Sequence, residues 1–293
     1  MTKGLSPPRR RESVELDARP SVSSGQAFVG MTKGLSPPRK RGSIKLDSRP
    51  SASSGRAFRG NDVGLRMTVG IMGGLTEEIR LPETGAVVRL TPEHKLILSL
   101  IEAGTRVLDL GCGEGDLLLA LKVLKGVRAE GVELSDACIR ACVARGLVSV
   151  HHGDLDEGLA DYPDKSVDYV ISTNTIQVLH RPMVLIREMA RVGKRCIVSF
   201  PNFAHWRVRL QLLLKGRMPK TLKLPYEWYE TLNIHLTTIR DFRDFCRKAE
   251  LKVLREIPLR TSAPGQCAEV RLLPNLRADT AIFILEEAMP PVD

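Results

Sequence analysis

Val107-Leu108-Asp109-Leu110-Gly111-Cys112-Gly113-Glu114-Gly115 is the stretch that decides the fold. It reads as a short apolar strand that carries an acid and opens into three glycines at alternate positions. The residues that follow, 116–124, predict the start of a helix. Because glycine has no Cβ, such a loop lets a ligand approach the backbone and delivers it to a helix N-terminus. The stretch therefore predicts a nucleotide-type site at the carboxyl end of a strand in an open α/β sheet.

The spacing of the glycines excludes two common phosphate-binding loops. A P-loop ends in Gly-Lys-Ser/Thr, and the dinucleotide loop reads G-x-G-x-x-G, whereas the glycines here run G-x-G-x-G with no lysine before Lys122. The acids Asp109, Glu114 and Asp116 further disfavour a phosphate. An acid-rich glycine loop suits a cationic or zwitterionic adenosyl ligand, which points to S-adenosylmethionine (SAM) or its demethylated product, S-adenosylhomocysteine. The string resembles motif I of the class I SAM-dependent methyltransferases.

Two further acids follow the next two predicted strands. Residues 127–134 reach Glu133 about twenty residues after the glycines, where an acid accepts hydrogen bonds from both ribose hydroxyls. A third strand over 148–152 is followed by Gly153-Asp154-Leu155. The methyltransferase resemblance implies that Asp154 contacts the adenine amino group and that Leu155 packs on the adenine ring.

The candidate cofactor residues thus lie at the ends of successive strands. Simple strand-end polarity is the alternative, and three acids in succession make it the weaker one. Asn174 and Gln177, just past the fourth strand, are candidates for the methionine moiety, with ordinary loop polarity as an equal alternative. We expect Leu134 to pack on adenine beside Leu155. The full set predicted for the cofactor is Asp109, Gly111, Gly113, Gly115, Glu133, Leu134, Asp154, Leu155 and Asn174.

Composition bounds the class of protein. The 293 residues are 43% hydrophobic, enough for one α/β domain with a sizeable core. No apolar run approaches the ~20 residues that cross a membrane, and none follows the basic N-terminus as in a secretory signal. The six cysteines form no C-x-x-C pair, and Cys138 and Cys142 lack further ligands for a metal. We therefore expect a cytoplasmic protein with reduced thiols and no metal site.

The formal charge of +10 is concentrated at the N-terminus. Residues 1–66 hold 14 Lys and Arg against 5 Asp and Glu, whereas residues 67–293 hold 30 against 29. Residues 1–30 recur as 31–60 with 22 identities, and both copies are rich in Pro, Ser, Gly and Arg. Such a segment buries too little apolar surface to offset its ordering entropy, so we expect a disordered basic tail. The near-neutral body argues against nucleic-acid binding.

Three interpretations of the tail stay open. It is an electrostatic arm, an inert duplicated extension, or an over-extended reading frame whose translation starts near Met67 or Met72. The last two are favoured, because the folded pattern begins only after Gly74.

Strand and helix patterns alternate through the rest of the chain. A helix opens at Thr91-Pro92-Glu93, with a cap residue, a proline and an early acid. The alternation predicts a parallel sheet with helices on both faces, and the methyltransferase resemblance adds a reversed final strand. We expect one Rossmann-like class I methyltransferase domain over 67–293 with a mostly parallel, seven-stranded sheet. The first strand is predicted to start at Val107, and the other six to cover 129–133, 148–152, 167–172, 195–200, 251–257 and 281–286. Further helices are predicted over 117–124, 135–145, 182–192 and 238–248.

An aromatic segment follows the fifth strand. Residues 201–235 hold both tryptophans and two of the four tyrosines of a chain that is only 4% aromatic. As a lid, the segment would close over a small acceptor and exclude water. As an interface, its aromatic and arginine side chains have the composition of binding hot spots, and a core position is the alternative for Trp206 and Phe203. The residues predicted for this lid or partner surface are His205, Trp206, Arg207, Tyr226, Trp228, Tyr229 and His235.

Three long strings narrow the resemblance to one family. RVLDLGCGEGDLL (106–118), PNFAHWRVRLQLLLKGRMP (201–219) and LPYEWYETLNIHLTTIRDF (224–242) resemble the methionine biosynthesis protein MetW family, over about residues 76–262. The resemblance implies a SAM methyltransferase type of fold and a place in methionine synthesis beside a homoserine O-acyltransferase. It implies no methyl acceptor.

No catalytic residue is predicted. His180, His205 and His235 are the candidate general bases, but none has a carboxylate partner in sequence. The N/D-P-P-Y/F tetrapeptide of amino-methylating enzymes is replaced by Ser172-Thr173-Asn174-Thr175, and the Pro-Cys nucleophile dipeptide does not occur. Two functions stay open: a SAM-binding, methyltransferase-like partner that supports homoserine O-acyltransferase, and an active SAM-dependent small-molecule methyltransferase with an unidentified acceptor.

Overall fold

The computed structural model describes residues 76–82, 84–221, 223–263 and 266–288. The predicted basic tail over 1–66 and the alternative start sites Met67 and Met72 lie outside these residues. In chain order the elements are β1 (Glu77–Arg80), β2 (Val87–Leu90), α1 (Pro92–Leu100), β3 (Arg106–Leu110), α2 (Asp116–Lys125), β4 (Arg128–Glu133), α3 (Asp136–Ala144), β5 (Val150–His152), β6 (Val167–Thr173), a 3-10 turn (Ile176–Val178), α4 (Pro182–Val192), β7 (Gly193–Pro201), α5 (Trp206–Lys215), α6 (Ile239–Lys248), β8 (Leu251–Ala263), β9 (Gln266–Glu269), α7 (Pro274–Arg277) and β10 (Thr280–Glu287).

Eight strands form the main sheet, in the order β5-β4-β3-β6-β7-β10-β8-β9. The strands from β5 to β7 are mutually parallel, and β10 runs antiparallel to both β7 and β8. The Rossmann-like methyltransferase fold, with a mostly parallel sheet and a reversed final strand, is therefore confirmed. The predicted count of seven strands is wrong by one, because β9 pairs with the far half of β8 and extends the sheet edge.

Strands β1 and β2 form a separate antiparallel pair that the sequence did not predict. Each strand has only four residues, too few to show a convincing alternation. Their buried side chains Ile79, Val88 and Leu90 join a cluster with the apolar face of α2. The pair thus covers the helix that follows the glycine loop.

Helices cover both faces of the main sheet. Side chains of β3 alternate between the layers: Val107 packs with Ile97 and Ile101 beside α1, whereas Leu108 and Leu110 pack in the cluster that includes α4 and α6. Strand β3 is therefore buried on both faces, and its carboxyl end is held in a fixed position.

The predicted helix starts at Thr91 and Ser135 are confirmed. The hydroxyl of Thr91 accepts a hydrogen bond from His94 N at 3.1 Å, and the hydroxyl of Ser135 accepts one from Cys138 N at 3.4 Å. Each bond satisfies one of the amides that a helix N-terminus leaves without a partner. These caps set where α1 and α3 begin relative to the sheet edge.

We expect Gly115→Ala to destabilise the fold more than the matched variant Gly126→Ala. Both glycines have positive φ, 78° and 61°, so alanine costs about 1–2 kcal/mol at either. At Gly115 the new Cβ would also lie 2.4 Å from Leu147 Cδ1, an overpacking that adds about 1–3 kcal/mol. At Gly126 no described atom lies within 4 Å of it. Urea unfolding of the two full-length variants measures the difference, and equal losses would contradict the crowding argument.

Candidate functional site

The glycine loop lies where the strand order of the sheet reverses. From β3 the chain continues outward to β4 and β5, and then returns to β6 on the other side of β3. The connections therefore diverge at the carboxyl ends of β3 and β6, and this divergence is where open α/β sheets form a crevice that binds ligands. Parallel pairing brings the ends of β3, β4, β5 and β6 to this one edge.

The loop combines an accessible backbone with a helix N-terminus. Gly111, Gly113 and Gly115 all have positive φ, and Gly115 is the residue that precedes the ten-residue helix α2. A Cβ built on Gly113 would meet no described atom within 4 Å. The backbone at Gly113 therefore faces open space, so a ligand can approach it closely.

Asp109 lies under the loop, on β3, and is 1% exposed. Its Oδ1 has no hydrogen-bond partner among the residues that the structure describes. Burial, and less strongly the charge of Glu133, raises the pKa of this carboxyl to about 7. A buried acceptor without a partner is costly, so Oδ1 is an acceptor available to a donor from outside the described residues.

Glu133, at the end of β4, binds the glycine loop directly. Its Oε2 accepts a hydrogen bond from Gly113 N at 2.9 Å, and its Oε1 accepts from Leu134 N at 3.1 Å and Ser135 N at 2.9 Å. A carboxylate has about four acceptor positions, so about one is left for a ligand hydroxyl. That position is on Oε2, so a diol that used both oxygens would have to displace the Leu134 or Ser135 amide from Oε1.

The other predicted cofactor residues differ in exposure. Asp154, Leu134 and Asn174 are exposed, and Asp154 Oδ1 accepts a hydrogen bond from Asp156 N at 2.9 Å. Leu155, by contrast, packs in the core with α4 and α6, so little of its surface is left for a base. The structure therefore brings the acids and glycines to one edge but buries one of the two leucines.

Two polar residues beyond β6 hold its loop in place. Gln177, which the sequence singles out, is buried; its Nε2 donates to Asn174 O at 2.8 Å, and its Oε1 has no partner among the described residues. The hydroxyl of Thr175, which the sequence does not single out, donates to Leu110 O at 3.1 Å. This contact fixes the loop after β6 against the end of β3. The sequence does not predict it, because a single threonine after a strand has no distinctive pattern.

The aromatic segment divides into a buried start and an exposed remainder. His205 is buried, and its Nδ1 accepts a hydrogen bond from Arg207 N, so it caps α5. Desolvation lowers the pKa of this histidine, which favours its neutral form. Trp206 is partly exposed beneath the Arg207 guanidinium, 5.4 Å from its ring centroid. The remaining predicted members, Tyr226, Trp228, Tyr229 and His235, are exposed.

The described residues supply no obvious proton-transfer pair. None of the side chains of His180, His205 and His235 forms a hydrogen bond or ion pair with a carboxylate in the described ranges. Within the same ranges, no group of three His, Cys, Asp or Glu residues lies close enough to hold a metal ion. No helix described by the structure is long and apolar enough to cross a membrane.

Comparison with solved structures shows the same fold. A SAM-dependent methyltransferase from Thermotoga maritima aligns with a TM-score of 0.50 at 20% identity, over 66% of this chain and 87% of that chain. At this identity the likeness concerns the arrangement of the strands and helices, and it carries nothing about substrate.

Comparison of sequences gives the family. A bifunctional methionine biosynthesis protein MetXA/MetW from Rhodopirellula baltica is 35% identical over 211 residues, which cover 69% of this chain and 34% of that protein. The chain thus spans about a third of the length of this curated relative. A family model described as methionine biosynthesis protein MetW matches residues 91–285, from α1 through the glycine loop and the aromatic segment to β10. With the fold and both characteristic segments matched, the chain belongs to the MetW family of methionine biosynthesis proteins.

Proposed function

We propose that this protein is a SAM-binding, methyltransferase-like component of methionine synthesis that supports a homoserine O-acyltransferase. The observation that carries the proposal is the relative in which MetXA and MetW share one chain. Joining two modules holds them at a high effective concentration, which benefits proteins that act together. The family resemblance associates proteins of this kind with a homoserine O-acyltransferase in methionine synthesis.

The crevice at the glycine loop supports the cofactor part of the proposal. The unpartnered Oδ1 of Asp109 offers an acceptor, the backbone at Gly113 is open, and Glu133 has about one acceptor position left for a ribose hydroxyl. A charge-assisted hydrogen bond of that kind contributes about 1.5–3 kcal/mol. SAM, the downstream product of methionine, would then act at this site as a feedback signal on acylation.

Methyl transfer is the alternative function, and the acids and glycines kept at the crevice favour it. When bound, SAM supplies an electrophilic methyl group, whose in-line transfer needs mainly correct positioning of an acceptor. A catalytic protein would release S-adenosylhomocysteine in the presence of its acceptor, whereas a sensor would not consume SAM. Either function fits a cytoplasmic protein. The six cysteines, all of which lie in the described residues, are free thiols, which fits the same location.

We expect Glu133→Gln to weaken SAM binding on the order of 10- to 100-fold, because it removes the charge from a hydrogen-bonding partner of the ligand. Isothermal titration of the full-length protein with SAM and with S-adenosylhomocysteine measures this loss. The matched control is Glu102→Gln, at an exposed acid that precedes the amino end of β3. Unchanged affinity in Glu133→Gln would contradict the assignment of the crevice.

We expect SAM affinity to rise severalfold between about pH 6 and 8, because Asp109 ionises with a pKa of about 7 and its charge attracts the cationic ligand. The stability of the ligand-free protein changes with pH in the opposite direction to the affinity. The unfolded carboxyl, with a pKa of 3.8, loses its proton before the folded one, so the free energy of unfolding falls as pH rises from about 4 to 7. Asp109→Asn should remove both trends; a pH profile identical to that of the wild type would refute them.

We expect the protein to raise the rate of homoserine acylation by the O-acyltransferase of the same organism several-fold, and to co-purify with it. The direct measurement is the acylation rate with increasing amounts of the full-length chain, with and without SAM. Glu133→Gln should keep the support and lose the response to SAM. An acylation rate independent of this chain, together with no co-purification, would exclude the partner role.

A further inference from the structure

Helix α5 buries almost none of its apolar residues. Of its ten residues only Val208 is buried, although the helix carries four leucines. Leu213 and Leu214 are 80% and 71% exposed. A helix that packed only on its own domain would turn such residues inward. The apolar content of α5 therefore exceeds what the described fold uses.

A second group of exposed apolar side chains follows in a turn over residues 226–232. Trp228 is 70% exposed, Tyr226 and Tyr229 are exposed, and Leu232 ends the group. The rings of Trp228 and Tyr229 meet edge to face, with centroids 5.6 Å apart. Aromatic side chains held in this way present a large contact area with few freely rotating bonds.

Hydrogen bonds join the helix and the turn into one surface. The Gln211 amide donates to Lys220 O at 3.2 Å and accepts from Lys220 N at 3.0 Å. Lys220 Nζ in turn pairs with the Glu227 carboxylate at 2.6 Å, and Glu227 O accepts from Glu230 N and Thr231 N. The helix, its connection and the aromatic turn are thus held in a fixed relation, which lowers the entropy lost on binding a partner.

We infer that this surface is where the homoserine O-acyltransferase docks, an inference that rests on the proposed function. The docking surface consists of Leu214, on the same side of α5 as Gln211, and of Tyr226, Trp228, Tyr229 and Leu232 in the turn. Exposed apolar side chains grouped on one hydrogen-bonded framework mark an interaction site, and tryptophan and tyrosine dominate binding energy at interfaces.

The chemistry of the surface and the comparisons identify the occupant. The family match over 91–285 includes the whole docking surface, and the Rhodopirellula relative carries MetXA in the same chain as its MetW part. The exposed cations Arg209, Lys215 and Arg217 lie along α5 and the turn after it. The complementary face of the acyltransferase is therefore apolar with an acidic rim.

The docking surface is connected to the candidate cofactor site. Just after the aromatic turn, Ile234 N and His235 N both donate to Gln177 O, and the Gln177 side chain donates to Asn174 O. A ligand at Asn174 and a partner at the docking surface would therefore act on the same stretch of chain. Any effect of SAM on acyltransferase affinity must be matched by an equal effect of the acyltransferase on SAM affinity.

The test is the double substitution Leu214→Ser with Trp228→Ala in the full-length protein. Both side chains are exposed, so thermal unfolding and SAM affinity in the absence of the partner should not change. Affinity for the purified acyltransferase should fall at least about 30-fold, and the support of acylation should be lost at concentrations that saturate with the wild type. The matched control is Val148→Ser, at a residue 76% exposed just before the outer strand β5, which should bind as the wild type does.

The outcomes separate this inference from the proposed function. If the wild type supports acylation and the double variant binds and supports it equally well, the docking surface is wrong and the proposed function stands. If the wild type neither binds the acyltransferase nor affects acylation, the proposed function itself fails. If the double substitution converts a dimer of this chain to a monomer but keeps full support of acylation, the surface joins two copies of the chain, and the inference is overturned.

Discussion

The candidate site depends on one constraint, the positive φ of three alternate residues, Gly111, Gly113 and Gly115. They let the chain pass from β3, which carries the buried Asp109, to α2 within five residues. Since Gly113 has no side chain, its amide can donate to Glu133 while its other side faces open space. Much of the candidate site is therefore built from backbone, and the acids around it are the basis for proposing a ligand with hydroxyl and cationic groups.

The same edge of the sheet also connects the crevice to the aromatic segment. Gln177 joins the two, because its side chain bonds to Asn174 and its carbonyl oxygen accepts from Ile234 N and His235 N. Under the proposed function, a ligand in the crevice and a partner at the docking surface would both act through Gln177. This link would give the crevice a use in a protein whose proposed role is support of another enzyme.

Much of the fold could be predicted from the sequence, because its signals are local. Helix α4 has the predicted bounds Pro182–Val192, the caps at Thr91 and Ser135 are confirmed, and alternation of strands with helices gave the parallel sheet. Features held by tertiary contacts were missed. Strand β9 has only four residues, too few for a pattern, and pairs with β8 beside it. Helix α5 has leucines at 210, 212, 213 and 214, a spacing without a single buried face. The burial of Leu155 and the three bonds to Glu133 likewise depend on how the loops pack.

The partner role is tested most directly by hydrogen–deuterium exchange of the full-length protein mixed with the purified homoserine O-acyltransferase. A partner that docks as proposed would slow exchange in α5 and in residues 226–236, and adding SAM would slow exchange at the glycine loop over 111–115. Exchange rates that do not change anywhere in the chain when the acyltransferase is added would contradict the partner role and leave methyl transfer as the function to pursue.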